Sequence, residues 1–391
     1  MVSFKLSQKC RTYTSYFSRA ARKLDYWKRA VTSSKQNDAQ VIDFFCGCGG
    51  MSLGFEHVGR VTNGFRLLGG IDIDETALAT YAHNFNVPTH RADIRDIATK
   101  DGTYSRVVSN MLETNPELPT VLVGCAPCQG FSGHRKGRLG NPDERNELIV
   151  AFAEIVARLY PEYVVMENVP EMLSDRYREY YSSFKRILQD RGYMIRDAVL
   201  NAAEFGVPQE RLRAIVVASR SNSFAMPSSD LNPTQFVTVR DAIGDLPIVS
   251  PGELVDADPM HRSASHRNST VKVIQSVPKN GGNRPAGIGP KCLEKIDGYY
   301  DVYGRLFWDK PSITITSYAR NPASGRFVHP EQDRGLTKRE AARLQSFPDG
   351  FHFSGSFDEI FRQIGEAVPP RLSTAIAAAL LESVRNECID G

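Results

Sequence analysis

Residues 41–57 read Val-Ile-Asp-Phe-Phe-Cys-Gly-Cys-Gly-Gly-Met-Ser-Leu-Gly-Phe-Glu-His, which predicts a short apolar strand, a glycine-rich turn and a helix. Glycines let a backbone approach a ligand closely, and the free N–H groups at a helix start attract anions. The turn lacks the full G-x-G-x-x-G spacing of dinucleotide sites. The stretch therefore favours a doubly wound, Rossmann-like α/β fold with a nucleotide-type ligand at this turn.

Acidic residues follow the next two predicted strands. The strand that starts at Leu67 ends in Asp72-Ile-Asp74, and a carboxylate about two dozen residues after the first strand binds ribose hydroxyls. Asp93 closes a further strand-like segment, where it can accept a hydrogen bond from an adenine amino group. Asp is also common as a helix N-cap at such junctions. We expect Asp72 and Asp93 to bind the ligand and Asp74 to cap a helix.

A cysteine follows the apolar run at residues 120–124. The chain continues as Cys-Ala-Pro-Cys128-Gln, which places a thiol just beyond the carboxyl end of a predicted strand, where α/β folds hold reactive groups. Arg135 and Lys136 follow in a glycine-rich turn, and nearby cations lower the pKa of a thiol. Taken alone, Cys128 also fits a buried structural cysteine.

A carboxylate and two arginines occupy comparable positions. The strand predicted at residues 161–166 ends in Glu167, and its apolar flanks indicate partial burial, which suits a proton donor. Arg211 and Arg213 alternate with apolar residues before another strand, so we expect both side chains to point into the crevice. A surface carboxylate and an edge strand are the alternative interpretations.

The cysteines also raise the possibility of a zinc site. Cys46-x-Cys48 and Cys125-x-x-Cys128 would lie at the same sheet edge, and four thiolates can hold zinc. C-x-C is a poor spacing for structural zinc, so we expect no metal.

Composition limits the class of protein. The chain has 391 residues, enough for two domains, with 41% hydrophobic and 24% charged residues. Seven cysteines without a regular framework favour a reducing compartment. Because we find neither a membrane-length apolar run nor a signal-peptide block, we expect a cytoplasmic protein with no membrane partner.

Positive charge is concentrated in two regions. Residues 1–38 hold nine Lys or Arg against Asp25 and Asp38, a local charge of +7. Their apolar residues recur at helical spacing, so we expect a packed basic helix; a DNA-contacting arm and a transit peptide are the alternatives. Residues 261–291 contain no acidic residue and include glycine turns, which suits phosphate contacts as well as a solvated loop.

Six segments, in order, resemble the DNA (cytosine-5)-methyltransferase family of bacterial restriction-modification systems. They are residues 43–50, Pro127-Cys-Gln129, Glu167-Asn-Val169, Gln209-x-Arg211-x-Arg213, Thr337-Lys-Arg-Glu-Ala-Ala-Arg-Leu-Gln-Ser-Phe-Pro348 and Gln363-Ile-Gly-Glu-Ala-Val-Pro-Pro370. One such motif is modest evidence, but six in the family's order are highly specific. The resemblance implies an S-adenosylmethionine-dependent enzyme that methylates C5 of a flipped-out cytosine in a short duplex DNA sequence.

The resemblance also assigns roles to residues. Cys128, flanked by Pro127 and Gln129, adds to cytosine C6; Glu167 binds the base edge; Arg213, with Arg211, holds the base O2. The implied cofactor contacts are Phe45, Gly47, Gly49, Gly50, Asp72, Ile73, Asp93, Ile94, Pro127, Glu366, Ala367 and Val368. Glu366 stands where the family usually has Asn, which weakens the expectation for the contacts around it.

The implied DNA contacts fall in two regions. A loop over the target base contributes Ser132, Arg135, Lys136 and Arg138. A target-recognition domain contributes Arg284 and Arg320 as candidate base readers on donor chemistry alone.

We expect three domains. Residues 1–38 form the basic helical extension, residues 39–219 with 360–391 form the catalytic and cofactor-binding domain, and residues 220–359 form a small, irregular β-rich target-recognition domain. Turn-rich sequence and short β runs such as residues 312–316 support the last. The expected partner is double-stranded DNA in the bacterial nucleoid, bound by a monomer that can pair functionally with a restriction endonuclease.

Three other functions would account for part of these residues. An NAD-dependent dehydrogenase explains the glycine turn and Asp72 but not Cys128 or Glu167. A catalytically silent DNA-binding module leaves Cys128, Glu167 and Arg213 without a purpose. Methylation of tRNA, as in one eukaryotic branch of the family, keeps the chemistry and changes the substrate.

Overall fold

The structure, a computed structural model, describes residues 38–112, 117–127, 147–175, 178–221, 224–229, 231–290 and 301–390. These residues form two compact units. The first contains the described residues up to 201, then 212–229 and 370–390; the second contains residues 202–211 and 231–369. Residues 202–211 and 360–369, which the sequence assigned to the catalytic domain, thus group with the second unit. The predicted basic helix lies outside the described residues.

A seven-stranded sheet forms the centre of the first unit, in the order β3-β2-β1-β4-β5-β7-β6. Strands β1 to β5 pair in parallel, whereas β7 runs antiparallel to both β5 and β6. The strands are β1 (Ala39–Phe44), β2 (Phe65–Asp72), β3 (Thr89–Arg91), β4 (Thr120–Gly124), β5 (Tyr163–Asn168), β6 (Met194–Asn201) and β7 (Leu212–Ser219). This topology confirms the predicted doubly wound α/β class.

Helices connect these strands. They are α1 (Gly50–Thr62), α2 (Glu75–Asn84), α3 (Ile94–Thr99), α4 (Asp101–Tyr104), a π-helical turn (Ser105–Ser109), α5 (Asn110–Leu112), α6 (Glu147–Leu159), a 3-10 turn (Pro170–Leu173) and α7 (Arg178–Gln189), with α12 (Pro370–Asp390) at the end of the chain. Apolar residues of β1, β4 and β5 pack against α6 in one core that includes Phe44, Leu122, Phe152 and Val164. Strands buried on both faces read as continuous apolar runs, which is why the sequence revealed them.

The candidate site lies at the carboxyl ends of the parallel strands. β1 ends in a turn where Phe45, Gly47 and Gly49 adopt positive φ angles of 54°, 50° and 94°. A non-glycine residue in this region is strained, and such strain clusters at functional sites. A Cβ on Gly47 would meet no atom within 4 Å, so the turn leaves space at this point.

The second unit is irregular. Its helices are short turns at Ala202–Phe205, Pro233–Gln235 and Pro322–Ser324, with α8 (Val239–Ile243), α9 (Asn268–Ser276), α10 (Lys338–Leu344) and α11 (Phe357–Glu366). Its β pairing, within the described residues, consists of isolated bridges. The run predicted at residues 312–316 contributes one of these, between Ser312 and Gln209. No helix of the described chain is long and apolar enough to span a membrane.

Candidate active site

An ion pair joins β5 and β7 where the sequence predicted a carboxylate and an arginine. Glu167 is the next-to-last residue of β5, which ends at Asn168, and Arg213 is the second residue of the antiparallel β7. Arg213 Nε is 2.7 Å from Glu167 Oε1, and the two side chains are only 11% and 10% exposed. Each charge therefore has its partner inside the protein, and the pairing fixes the direction of the carboxylate.

The neighbouring residue anchors the segment that leads to the predicted nucleophile. The Asn168 side-chain amide donates to the carbonyl oxygen of Ala126 at 3.1 Å. Ala126 is buried and Pro127 half-buried, immediately after β4. Cys128 and Gln129 lie outside the described residues. The chain thus enters the nucleophile segment from a backbone position tied to the strand that carries Glu167.

Arg211 has different partners from Arg213. Its guanidinium, in the second unit, donates to the carbonyl oxygens of Ile315, Gly365 and Ala367 at 2.9, 2.9 and 3.1 Å. The residue is buried. Neutral carbonyl acceptors around a buried cation are typical of a structural role, so the geometry favours Arg213 over Arg211 as the arginine that meets a substrate.

Asp72 organises the glycine turn. Its carboxylate accepts from the Gly47 N–H at 2.8 Å and from the Asp74 N–H at 2.9 Å. Burial raises the pKa of Asp72, while these backbone hydrogen bonds lower it. No side chain of the described residues caps the start of α1. The apolar side chain of Ile73, the residue after Asp72, is 61% exposed to solvent.

The other predicted acids act as helix caps. Asp74 accepts from the N–H groups of Thr76 and Ala77 and caps α2, as predicted. Asp93 caps α3 by accepting from the Arg95 N–H, and it forms an ion pair with the Arg95 guanidinium at 2.7 Å. The sequence favoured a ligand role for Asp93, with helix capping as the alternative, and the structure shows the cap. Ile94 is buried in the core rather than displayed.

A buried polar cluster behind the turn was missed by the sequence analysis. The Ser52 hydroxyl donates to Asp43 Oδ2 at 2.6 Å and lies 2.7 Å from the Tyr81 hydroxyl. Asp43 is fully buried, and its Oδ1 has no hydrogen-bond partner within the described chain. Burial raises the pKa of Asp43 to about 7 despite the Ser52 hydrogen bond, with a smaller contribution from Asp72. The sequence signal for this cluster was the spacing of nine residues between Asp43 in the strand and Ser52 in the helix that follows the turn.

The thiols of Cys46 and Cys125 are poor nucleophiles. Burial, reinforced by Asp43 and Asp72, raises the pKa of Cys46 well above its usual value. Burial and then Glu167 do the same for Cys125. Both are therefore protonated at neutral pH. Within the described residues, no cluster of His, Cys, Asp and Glu is arranged to hold a metal ion.

The residues of the last two motifs serve the second unit. Glu340 is buried and bound by the Arg334 guanidinium at 2.7 and 2.8 Å. Burial is the largest single effect and would raise the pKa of Glu340, but the charge and hydrogen bonds of Arg334, with His329 and the Thr337 N–H, together lower it to about 2. Glu366 is exposed at the end of α11, 3.9 Å from Arg362; Ala367 is half-buried and Val368 buried.

The predicted DNA contacts are only partly described. Arg320 forms an ion pair with Asp358 at 2.6 Å. Arg284 donates to the carbonyl oxygen of Ile288. The remaining candidates lie outside the described residues: Ser132, Arg135, Lys136 and Arg138.

Comparison with known proteins shows the family to which this chain belongs. Residues 39–382 match the family described as C-5 cytosine-specific DNA methylase. The chain belongs to this family. It is 35% identical over 351 residues to the type II methylase M.HgiDII of Herpetosiphon aurantiacus, covering 87% of this chain and 94% of that protein. It is 36% identical over 348 residues to the type II methyltransferase M1.HphI of Haemophilus parahaemolyticus, covering 88% and 87%.

Solved structures of related folds agree. A DNA modification methyltransferase encoded within an E. coli prophage superposes with a TM-score of 0.68 at 23% identity, covering 89% of this chain and 99% of that one. A DNMT2 variant of Spodoptera frugiperda gives 0.57 at 16% identity, covering 89% and 99%. These likenesses show the fold. The predicted family, the fold class and the activity of a DNA (cytosine-5-)-methyltransferase are thereby confirmed.

Proposed function

We propose that this C5 methyltransferase modifies one cytosine within a specific short duplex sequence, through a covalent bond between Cys128 and cytosine C6. The observation that carries the proposal is the Glu167–Arg213 ion pair, held at the ends of adjacent strands beside the segment that leads to Cys128. The target atom is inaccessible inside a duplex, so the cytosine must be flipped out.

Cytosine C5 is a weak nucleophile until C6 is attacked. The Cys128 thiolate forms a bond to C6, and the electron pair of the C5–C6 double bond makes C5 enamine-like. Glu167, protonated when the base is bound, donates a hydrogen bond to N3 and accepts one from the exocyclic amine, which stabilises the negative charge that addition places on the ring. Arg213 binds Glu167 through Nε and donates from Nη1 to the carbonyl oxygen of Leu212, so we propose that its remaining N–H groups bind cytosine O2. Loss of the C5 proton and of the Cys128 bond then restores aromaticity.

The glycine turn of the first unit fits S-adenosylmethionine. The open space at Gly47, the carboxylate of Asp72 and the exposed Ile73 suit a nucleoside whose ribose meets the acid and whose adenine meets the apolar side chain. The N–H groups at the start of α1 suit the carboxylate of the methionine portion. When bound, this cofactor supplies the methyl group that C5 accepts.

The proposal extends to the cell. The type II names of the relatives support an enzyme that protects bacterial chromosomal DNA from a cognate restriction endonuclease, and we propose that it acts as a monomer. Residues 220–359 are proposed to select the sequence, and residues 39–219 with 360–391 to perform catalysis.

Bisulfite sequencing of a random-sequence duplex pool, incubated with enzyme and S-adenosylmethionine, tests the function. We expect conversion-resistant cytosines at one position of one short sequence. A parallel reaction on total tRNA should give no product. Methylation of tRNA with none of the duplex would replace the DNA substrate by the alternative one.

A further inference from the structure

A polar cleft of about 400 Å³ lies within the second unit. Its walls come from the turn at residues 262–266, the turn at residues 320–322 and the start of α11. The side chains that matter for its chemistry are those of Arg262, His266, Arg320, Asn321 and Asp358.

The charges at this cleft do not balance. Asp358, the acid in its wall, is already engaged by Arg320 at 2.6 Å. Arg262 is exposed, and its guanidinium has no carboxylate partner among the residues that the structure describes. Lys338 lies next to it, since the Lys338 N–H donates to the Arg262 carbonyl oxygen at 3.3 Å. Arg262 and Lys338 are therefore close to each other, and neither forms an ion pair with a carboxylate of the described residues.

The proximity of these cations has an electrostatic effect. Burial, followed by the charge of Arg262, lowers the pKa of Lys338, although Asp258 acts in the opposite direction. Asp258 is itself bound by Arg339 at 2.7 and 3.0 Å. Like charges held together are unfavourable unless an anion joins them.

Neutral donors line the same cleft. His266 Nε2 accepts the Gly335 N–H at 3.0 Å, so the neutral ring carries its proton on Nδ1. Burial and the charge of Arg334 lower the pKa of His266, which keeps the ring neutral at pH 7. Asn321 uses its side-chain oxygen to cap the Pro322–Ser324 turn, which leaves its amide N–H groups for other acceptors.

We infer that this cleft binds a backbone phosphodiester of the substrate duplex, with Arg262 as the principal contact. The inference rests on the proposed function and adds a positioning site to it. A phosphate offers several oxygens that accept from converging cationic and neutral donors, whereas a base edge is planar and suits one fixed fork. The Arg320 guanidinium already has an acid on Nε, so Arg262 supplies the unmatched charge.

Methylphosphonate scanning of a duplex tests this inference. Each backbone phosphate of a short cognate duplex is replaced in turn by a neutral methylphosphonate, and binding is measured for the wild type and Arg262→Gln. We expect one or two positions where replacement weakens the wild type about tenfold and leaves the variant unaffected. The salt slope of the variant should also fall by about 0.9.

Arg267→Gln provides the matched control. It removes the same charge from the same loop, and its side chain does not line the cleft. It should retain the full methylphosphonate sensitivity of the wild type. Because the Arg262 guanidinium bears no internal ion pair, Arg262→Gln should melt at the wild-type temperature.

Two results would overturn the inference. One is an Arg262→Gln variant that is as sensitive as the wild type at every position. The other is an Arg267→Gln variant that loses the same methylphosphonate sensitivity, which would assign the effect to the charge of the loop and not to the cleft. Failure of the wild type to methylate any duplex would instead remove the proposed function.

Discussion

The two units of this methyltransferase are stabilised in different ways. The sheet unit buries largely apolar strands, such as β1, of which all six residues are buried. The second unit instead buries arginines, of which Arg305 and Arg334 are completely inaccessible to solvent. Every N–H of Arg305 has an acceptor, in the carbonyls of Ile274, Val277, His329 and Gln332 and the carboxylate of Asp333. A buried guanidinium that donates to several backbone carbonyl oxygens can therefore stabilise an irregular chain that has few hydrogen bonds between strands.

The largest expected effect comes from replacing Arg305, because the substitution removes the donor of these hydrogen bonds. Arg305→Met leaves four buried carbonyls without their donors, so we expect a loss of about 3–5 kcal/mol in the free energy of unfolding. Arg305→Lys should also be strongly destabilising, because an ammonium group has three donors without the planar fork. Denaturant unfolding, with hydrogen exchange to locate the change in residues 231–369, measures both.

Arg240→Met is the control for this prediction. Arg240 forms an exposed ion pair with Asp309 at 2.8 Å in the same unit. Its unfolding midpoint should stay near the wild-type value. Equal losses for Arg240 and Arg305 would mean that buried arginines have no special part in this unit.

The sheet unit contains a fully buried carboxyl group, Asp43, which makes its stability depend on pH. Its pKa is raised from 3.8 to about 7, so the folded protein holds a proton that the unfolded chain releases. The stability from this group is fully present below about pH 4 and is lost as pH rises through about 7. The loss is about 4 kcal/mol.

Asp43→Asn tests this pH dependence. The variant should gain stability relative to the wild type between pH 4 and pH 8, as measured by denaturant unfolding at several pH values. Glu171→Gln, which removes an exposed carboxyl from the same unit, leaves the buried cluster untouched and serves as the control. A constant difference between Asp43→Asn and wild type at all pH values would contradict a protonated Asp43.

A smaller effect is expected at the cofactor turn. Asp72→Ala should weaken S-adenosylmethionine binding by about 1.5–3 kcal/mol, ten- to a hundred-fold, because a charged hydrogen bond is lost. Asp74→Ala removes a helix cap two residues away and should reduce stability by about 1 kcal/mol with little change in cofactor affinity. Calorimetric titration separates the two. Equal effects on binding would show that Asp72 acts only by holding the turn.

The same comparison explains what the sequence could predict. Apolar runs located the strands of the sheet, although β5 begins at Tyr163 rather than at residue 161. Glu167 and Arg213 were predicted because each adjoins such a run. The contacts of Arg305 were beyond prediction, since its acceptors are backbone carbonyls up to 31 residues away and charged residues are normally expected at the surface. For Asp93, the sequence could not decide between binding a ligand and capping the helix that begins at Ile94, because Asp suits both roles at a strand end.

The most direct test of the account is covalent trapping on a cognate duplex that contains 5-fluorocytosine. Fluorine cannot leave C5 as a proton does, so the enzyme should remain attached to the base after methyl transfer. Peptide mapping by mass spectrometry should find the adduct on Cys128, and Cys128→Ser should form none while still binding the duplex. An adduct on Cys46 or Cys125, or full methylation by Cys128→Ser, would contradict the proposed mechanism.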